Sequence, residues 1–243
     1  MDKILDSSSI LPLYHQLQEI LRENIESGIW KPSDIIPSEN QLMQEYNISR
    51  NTVKKAIENL VQDGILYRVQ GKGTFVSRPK FEQSLIGFYS FSKVMKERGL
   101  SPMDVIENIE KKKAKPRIAK QLKINEEDYV FELKRIRYAQ GEPVIFETSY
   151  IPEKYCPRLS HEKLERNSLY DLMQKEYGIF VTKAKETFEP ILIKSYESRF
   201  LEVEEGFPAL ALDRIAFDAY EVPVEFCHSI VRGDRCRFYT ELL

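Results

Sequence analysis

Residues 37–76 read P-S-E-N-Q-L-M-Q-E-Y-N-I-S-R-N-T-V-K-K-A-I-E-N-L-V-Q-D-G-I-L-Y-R-V-Q-G-K-G-T-F-V. Ser38, with Gln41 three residues on, predicts a helix N-terminus closed by a capping box. Leu42 and Met43 begin that helix's apolar stripe, and Tyr46-Asn47-Ile48 interrupts it. Ser49 is placed to cap a second helix. Val53, Ile57, Leu60 and Val61 recur at helical spacing and define its buried face. Asp63-Gly64 closes it, with glycine where the chain needs positive φ. Residues 65–69 and 74–77 then read as two strands around a turn at Gln70-Gly71-Lys72-Gly73, a β-hairpin. Helix, tight turn, helix and hairpin together make a winged helix-turn-helix, a shape suited to a DNA groove.

The charge pattern agrees. The 243-residue chain has a formal net charge of only −2, which argues against indiscriminate coating of nucleic acid. Yet residues 47–78 carry Arg50, Lys54, Lys55, Arg68, Lys72 and Arg78 against only Glu58 and Asp63. Positive charge therefore gathers on the second helix and the wing, the two elements that would meet phosphates. Hydrophobic content of 42% with 30% charged residues is ordinary for a globular protein of one or two domains. No apolar run approaches the ~18 residues that would span a membrane. The N-terminus lacks a basic-then-apolar leader pattern. The three cysteines, Cys156, Cys227 and Cys236, are odd in number and not at metal-ligand spacing, and the histidines are scattered. The expectation is a reduced, cytoplasmic protein without disulfide frame, metal or cofactor.

Upstream, Pro12 suits a first helical turn, and Leu13, Leu17, Leu21 and Ile25 form a slowly drifting stripe ended by Ser27-Gly28. The run Pro12-Leu13-Tyr14-x-Gln16-Leu17, Gly28-x-Trp30-x-Pro32, Ile36-Pro37-Ser38-Glu39, Ser49-Arg50-x-Thr52-Val53, Gly64 and Gly71-x-Gly73-Thr74-Phe75-Val76 resembles the DNA-binding domain of GntR-family bacterial transcription regulators. The resemblance covers almost all of residues 10–77. It implies that the Ser49-Arg50-x-Thr52 helix enters the major groove. Arg50 would then meet guanine O6 and N7, and Thr52 a phosphate or a thymine methyl. Lys54 stands where Arg is frequent, and loses its planar fork. Asn40 stands where many members carry Arg, and suits adenine. Ser38 and Glu39 open a helix whose N–H groups suit a phosphate. Gly71 lets the wing approach the minor groove, with Lys72 at the backbone.

Residues 78–88, broken by Pro79 and Gly87, read as a linker between a domain at 1–77 and one at 89–243. In the second, helices are expected at 91–98 after a Ser90 cap, at 116–122, at 168–177 and at 194–201. Strands are expected at 105–113, 130–138, 144–151, 181–189, 210–217, 222–231 and 238–242. Antiparallel hairpins interleaved with helices make the chain α+β.

Within 130–138, Phe131, Leu133, Arg135 and Arg137 alternate onto one face, with Glu132 and Lys134 on the other. Two arginines thus continue an apolar face, where an unpaired charge is costly. Their partner is either Glu147 or Glu225 within the fold, or an anionic ligand that suits the guanidinium fork. Arg135-x-Arg137, Gly141-Glu142-Pro143-Val144, Glu147, Ser149-Tyr150-Ile151-Pro152 and Arg232-Gly233-Asp234-Arg235 resemble the UTRA effector domain of the HutC subfamily, which has a chorismate-lyase-like fold. The similarity is greatest to repressors of amino-sugar (N-acetylglucosamine) utilisation, whose effectors are hexosamine phosphates. It implies that Ser90, Arg135, Arg137 and Ser168 surround a phosphate, and that Glu147 and Glu225 hold sugar hydroxyls or an amino group. Tyr170, just after the Ser168 cap, would line the pocket. Val231 stands where the amino-sugar regulators tend to carry Tyr.

The reading that follows is a homodimeric regulator on a palindromic operator, released by a small anionic effector. Two others compete. An enzyme would need Glu147 and Glu225 as acid and base, with no nucleophile–base pair or metal set to help them. An architectural DNA-binding protein would leave Arg135 and Arg137 without a purpose.

Overall fold

The computed structural model describes residues 5–69, 71–78, 80–85, 103–139 and 141–241. The chain divides into two compact units, residues 1–79 and 80–243.

In the first unit α1 (Leu13–Glu26), α2 (Glu39–Tyr46) and α3 (Arg50–Gln62) precede a hairpin of β1 (Leu66–Val69) and β2 (Gly73–Val76). The capping box on α2 is present. The Gln41 N–H donates to Ser38 Oγ, and the Ser38 N–H donates to Gln41 Oε1 at 2.8 Å. Asn47 turns the chain out of α2 in the left-handed region, φ 51°. Ser49 Oγ then accepts from the Thr52 N–H at 3.2 Å and starts α3. Leu17 and Leu21 of α1, Leu42 of α2, and Val53, Ala56, Ile57 and Leu60 of α3 share one core with Leu66 and Val76 of the hairpin. Gly64 follows α3 at φ 72°, as the sequence requires. The wing is antiparallel from Leu66 opposite Val76 to Val69 opposite Gly73, and Tyr67 stacks on Phe75 across it. Ile35 adds a single bridge to Phe75, so the wing's outer strand is held on both sides.

The second unit is built on a six-stranded antiparallel sheet. Its strands are β4 (Met103–Lys113), β5 (Tyr129–Ala139), β6 (Glu142–Pro152), β7 (Val181–Leu192), β8 (Pro208–Asp218) and β9 (Pro223–Arg232), in the order β4-β5-β6-β9-β8-β7. Among the described residues four helices accompany it: α4 (Pro116–Leu122), α5 (His161–Arg166), α6 (Leu169–Tyr177) and α7 (Ser195–Leu201). The period-2 pattern of β5 decides which helix goes where. Phe131 and Leu133 pack with Leu164 of α5 and Leu169, Leu172 and Met173 of α6. Val130, on the opposite face, packs with Ile118, Ala119 and Leu122 of α4, and Ile136 lies in a cluster with Leu201 of α7.

Two features depart from the sequence expectation. Helix α5 was not foreseen; it has six residues and buries one apolar side chain, Leu164, so it leaves no periodic trace. The stretch expected as linker, 78–88, is partly structured. Its residues β3 (Phe81–Ser84) pair in parallel with β10 (Cys236–Tyr239), from Cys236 opposite Phe81 to Tyr239 opposite Ser84. A parallel partner some 150 residues away in sequence leaves no local signature, and a proline at 79 reads in the sequence as a linker. The expected helix at 91–98 lies outside the described residues.

Candidate functional site: a groove-reading helix and a buried arginine–carboxylate cluster

The expected DNA-contacting residues lie on α2, α3 and the wing. Arg50 is the first residue of α3, with a side chain 72% exposed. Lys54, one turn on, is exposed and 3.7 Å from Glu58. Asn40, Gly71 and Lys72 are exposed. Thr52 is half-buried, and its hydroxyl lies 2.8 Å from Ser49 Oγ, so both polar atoms serve the cap. Glu39 is engaged: Arg68 Nη2 of the wing donates to its Oε1 at 3.1 Å, and its Oε2 is 3.7 Å from Arg50 Nε.

In the second unit, strand register brings four of the expected effector residues, Arg135, Arg137, Glu147 and Glu225, onto the sheet face that carries α5 and α6. Arg135 of β5 stands opposite Glu147 of β6, which stands opposite Ser229 of β9. One pair further along, Leu133, Ser149 and Cys227 form the next row. Arg135, Arg137, Glu147, Ser149, Glu225 and Ser229 are all buried. Glu147 takes both arginines. Arg137 Nε donates to Glu147 Oε2 and Arg137 Nη2 to Oε1, each at 2.8 Å, a bidentate fork. Arg135 Nη2 also donates to Glu147 Oε1. Asp104 of β4 accepts from Arg137 Nη1 at 2.8 Å. Arg135 Nε is buried and has no hydrogen-bond partner among the described residues. The question left open by sequence is thus answered in part: Glu147, not Glu225, is the common acceptor.

Glu225 has a different companion. Tyr170 Oη donates to Glu225 Oε2 at 2.6 Å and ties α6 to β9. Ser168 caps α6, its Oγ accepting from the Asp171 N–H at 3.2 Å. Ser90 lies outside the described residues. Val231 is fully buried beside Ile145, Leu212 and Cys236, an apolar wall at this end of the face. Asp104, Ser149, Cys227 and Ser229 join the cluster without having been expected. Alternation along β9 puts Cys227 and Ser229 on the Glu225 face and was legible. Asp104 was not, because a register shift between Ile106 and Asn108 breaks the alternation of β4.

The electrostatics follow from burial and pairing. Burial opposes the charge on Glu147, but the Arg135 and Arg137 guanidiniums outweigh it and hold the carboxyl well below the usual range. Burial likewise opposes the charge on Arg137, and Glu147 and Asp104 outweigh it, raising its pKa. Burial and the Glu225 carboxylate push the Tyr170 hydroxyl well above its ordinary value, so it stays a neutral donor. Burial, then Glu147 and Glu225, keep Cys227 a neutral thiol. Among the described residues no helix is long and apolar enough to cross a membrane, and no acidic, histidine and cysteine side chains group as a metal set.

Comparison with known proteins matches each unit separately. Residues 13–76 match the model of bacterial regulatory proteins of the gntR family, and residues 97–237 match the UTRA domain. The chain is 32% identical to the HTH-type transcriptional repressor NagR of Bacillus subtilis, over 96% of each chain. It is 33% identical to a probable fructoselysine utilization operon transcriptional repressor of Shigella flexneri, over 92% of this chain and 91% of that one. The crystal structure of PhnF from Mycobacterium smegmatis superposes with a TM-score of 0.63 at 27% identity, covering 95% of this chain and 98% of that one. A winged helix-turn-helix with an exposed arginine at the head of its second helix, and a buried arginine–carboxylate cluster on a UTRA sheet, thus belong to one chain, and that chain is a member of the GntR family of bacterial transcription regulators, with a UTRA effector domain.

Proposed function

We propose that the protein is a cytoplasmic, homodimeric repressor that holds a palindromic operator through residues 1–77 and releases it when residues 89–243 bind a hexosamine 6-phosphate or a closely related sugar phosphate. In the DNA-binding half, Arg50 reads guanine, Asn40 and Lys54 add groove contacts, and Ser38, Ser49, Thr52, Gly71 and Lys72 set the helix ends and the wing against the backbone. In the effector half, Arg135, Arg137, Ser168 and Ser90 surround the phosphate, while Glu147, Glu225 and Tyr170 face the sugar.

One observation carries the effector reading. Two buried arginines share a single carboxylate, and Arg135 keeps a buried Nε–H with no acceptor among the described residues. A buried charged donor without a partner is costly unless a ligand supplies the acceptor. A phosphate oxygen fits that need, since it is an anionic acceptor of the geometry that the guanidinium fork favours. A relative named for fructoselysine, a sugar derivative, fits the same ligand class. No catalytic step is assigned. Glu147 is committed to Arg135 and Arg137 and Glu225 to Tyr170, so neither is poised as acid or base.

Only a ligand that favours one domain arrangement over the other can drive release. A thermal-shift screen tests the ligand half, because a ligand of the folded state raises its stability by mass action. A hexosamine 6-phosphate should raise the Tm of the wild type and leave Arg135→Ala unmoved. If no phosphorylated or acidic metabolite moves the Tm, the effector assignment is wrong.

A further inference from the structure

One carboxylate in the first unit touches three elements. Glu39 is the first residue of α2. Its Oε1 accepts from Arg68 Nη2 of β1 at 3.1 Å, and its Oε2 lies 3.7 Å from Nε of Arg50, the first residue of α3. Its side chain is 26% exposed, the least of the three. Two of the N–H groups at the helix end it occupies, those of Ser38 and Gln41, are taken by the capping box. A carboxylate there is favoured by the α2 dipole and repels a DNA phosphate. With one oxygen on Arg68 and the other beside Arg50, Glu39 is better placed to hold cations than to touch a phosphate.

We infer that Glu39 is a positioning residue for sequence-specific DNA recognition: it holds the Nε edge of Arg50 and the wing's Arg68 at once, leaving the outer Nη edge of Arg50 for a base. The inference rests on the reading of α3 as the groove helix and goes beyond it. Arg is a two-edged fork, and bidentate reading of guanine O6 and N7 needs one edge unencumbered and aimed. An arginine that is 72% exposed has many rotamers, and a carboxylate on its inner edge selects among them. The same carboxylate sets a negative charge among cations that would otherwise attract any phosphate. Specificity gains from both effects, since the correct contact is pre-aimed while the sequence-blind attraction is reduced.

The test uses the full chain and two duplexes of equal length, one selected by the wild type from a random-sequence pool and one of mixed sequence. Fluorescence anisotropy across a salt series reads affinity on both. Glu39→Gln should bind the selected duplex about tenfold more weakly and the mixed one at least as tightly as wild type. Its penalty for replacing a guanine in the selected duplex should shrink, and adding Arg50→Ala should reduce that penalty no further. Arg68→Gln, which leaves the Arg50 contact intact, should keep the guanine penalty and serves as the second variant should Glu39→Gln fail to fold. Equal weakening on both duplexes, or no change on either, overturns the inference. A wild type that selects no duplex from the pool overturns instead the groove-helix reading on which it stands.

Discussion

Arg135 stands directly across the β5–β6 ladder from Glu147 and shares that carboxylate with Arg137, which already grips both of its oxygens. The two arginines are therefore not equivalent. Arg137 is a structural clasp, with Glu147 and Asp104 as its acceptors. Arg135 gives Glu147 one terminal N–H, and its Nε has no partner among the described residues. On the proposed effector reading, an incoming anion would gain most from Arg135.

This inequality orders two variants. Glu147→Ala leaves two buried guanidiniums without their common acceptor and should cost about 3–5 kcal/mol of stability. Arg135→Ala leaves Glu147 satisfied by the Arg137 fork and should cost less, about 1–3 kcal/mol. Urea unfolding of the two variants measures the difference. The reverse order would mean that Arg135, not Arg137, is the clasp.

The same carboxylate gives the protein an acid-sensitive element. Its folded pKa is depressed from an ordinary 4.5, because the two arginines outweigh burial. Its contribution is fully present above 4.5 and is lost as pH falls from there through the depressed folded value. Glu147→Gln, which does not titrate, should unfold with a flatter pH dependence below 4.5 than wild type and with a parallel one above it. Urea midpoints over that range check the slope.

Ser49 is expected to matter through the helix it starts. Its Oγ accepts from the Thr52 N–H at 3.2 Å and lies 2.8 Å from the Thr52 hydroxyl. Ser49→Ala should cost about 1 kcal/mol and loosen the end of α3 that carries Arg50. Amide hydrogen exchange in the first turns of α3 should quicken about fivefold, with the sheet of the second unit unaffected.

Tyr170→Phe removes the donor that Glu225 receives from α6 at 2.6 Å. A buried carboxylate short of one hydrogen bond should cost about 1–3 kcal/mol. If α6 closes over a sugar phosphate, effector affinity should fall with it, while operator affinity without effector stays at the wild-type value. Calorimetric titration with glucosamine 6-phosphate reads the first and anisotropy the second.

Much of this was legible in sequence because the signals were local. Ser38 with Gln41, Ser49, and Gly64 each declared a helix end through chemistry confined to a few residues. The alternation Phe131, Leu133, Arg135, Arg137 declared both the sheet face and the charges stranded on it. What stayed hidden depended on distant register. The choice of Glu147 over Glu225 is made by which strand neighbours β5, and the pairing of Phe81–Ser84 with Cys236–Tyr239 by a crossing of the whole unit. Asp104 reached the cluster only through the irregularity in β4. The tie from Glu39 to Arg50 and Arg68 needs the wing folded back beside two helix starts, which no periodicity reveals.

On the proposed function, an anion at Arg135 controls DNA occupancy. Its most direct test is anisotropy of a labelled duplex, selected by the wild-type protein from a random pool, titrated with glucosamine 6-phosphate and N-acetylglucosamine 6-phosphate. Wild-type affinity should fall at least about tenfold with one of them. Arg135→Ala should bind the duplex as wild type does and ignore both sugars. A wild type indifferent to every phosphorylated sugar, or an Arg135→Ala variant that responds as wild type does, would contradict it.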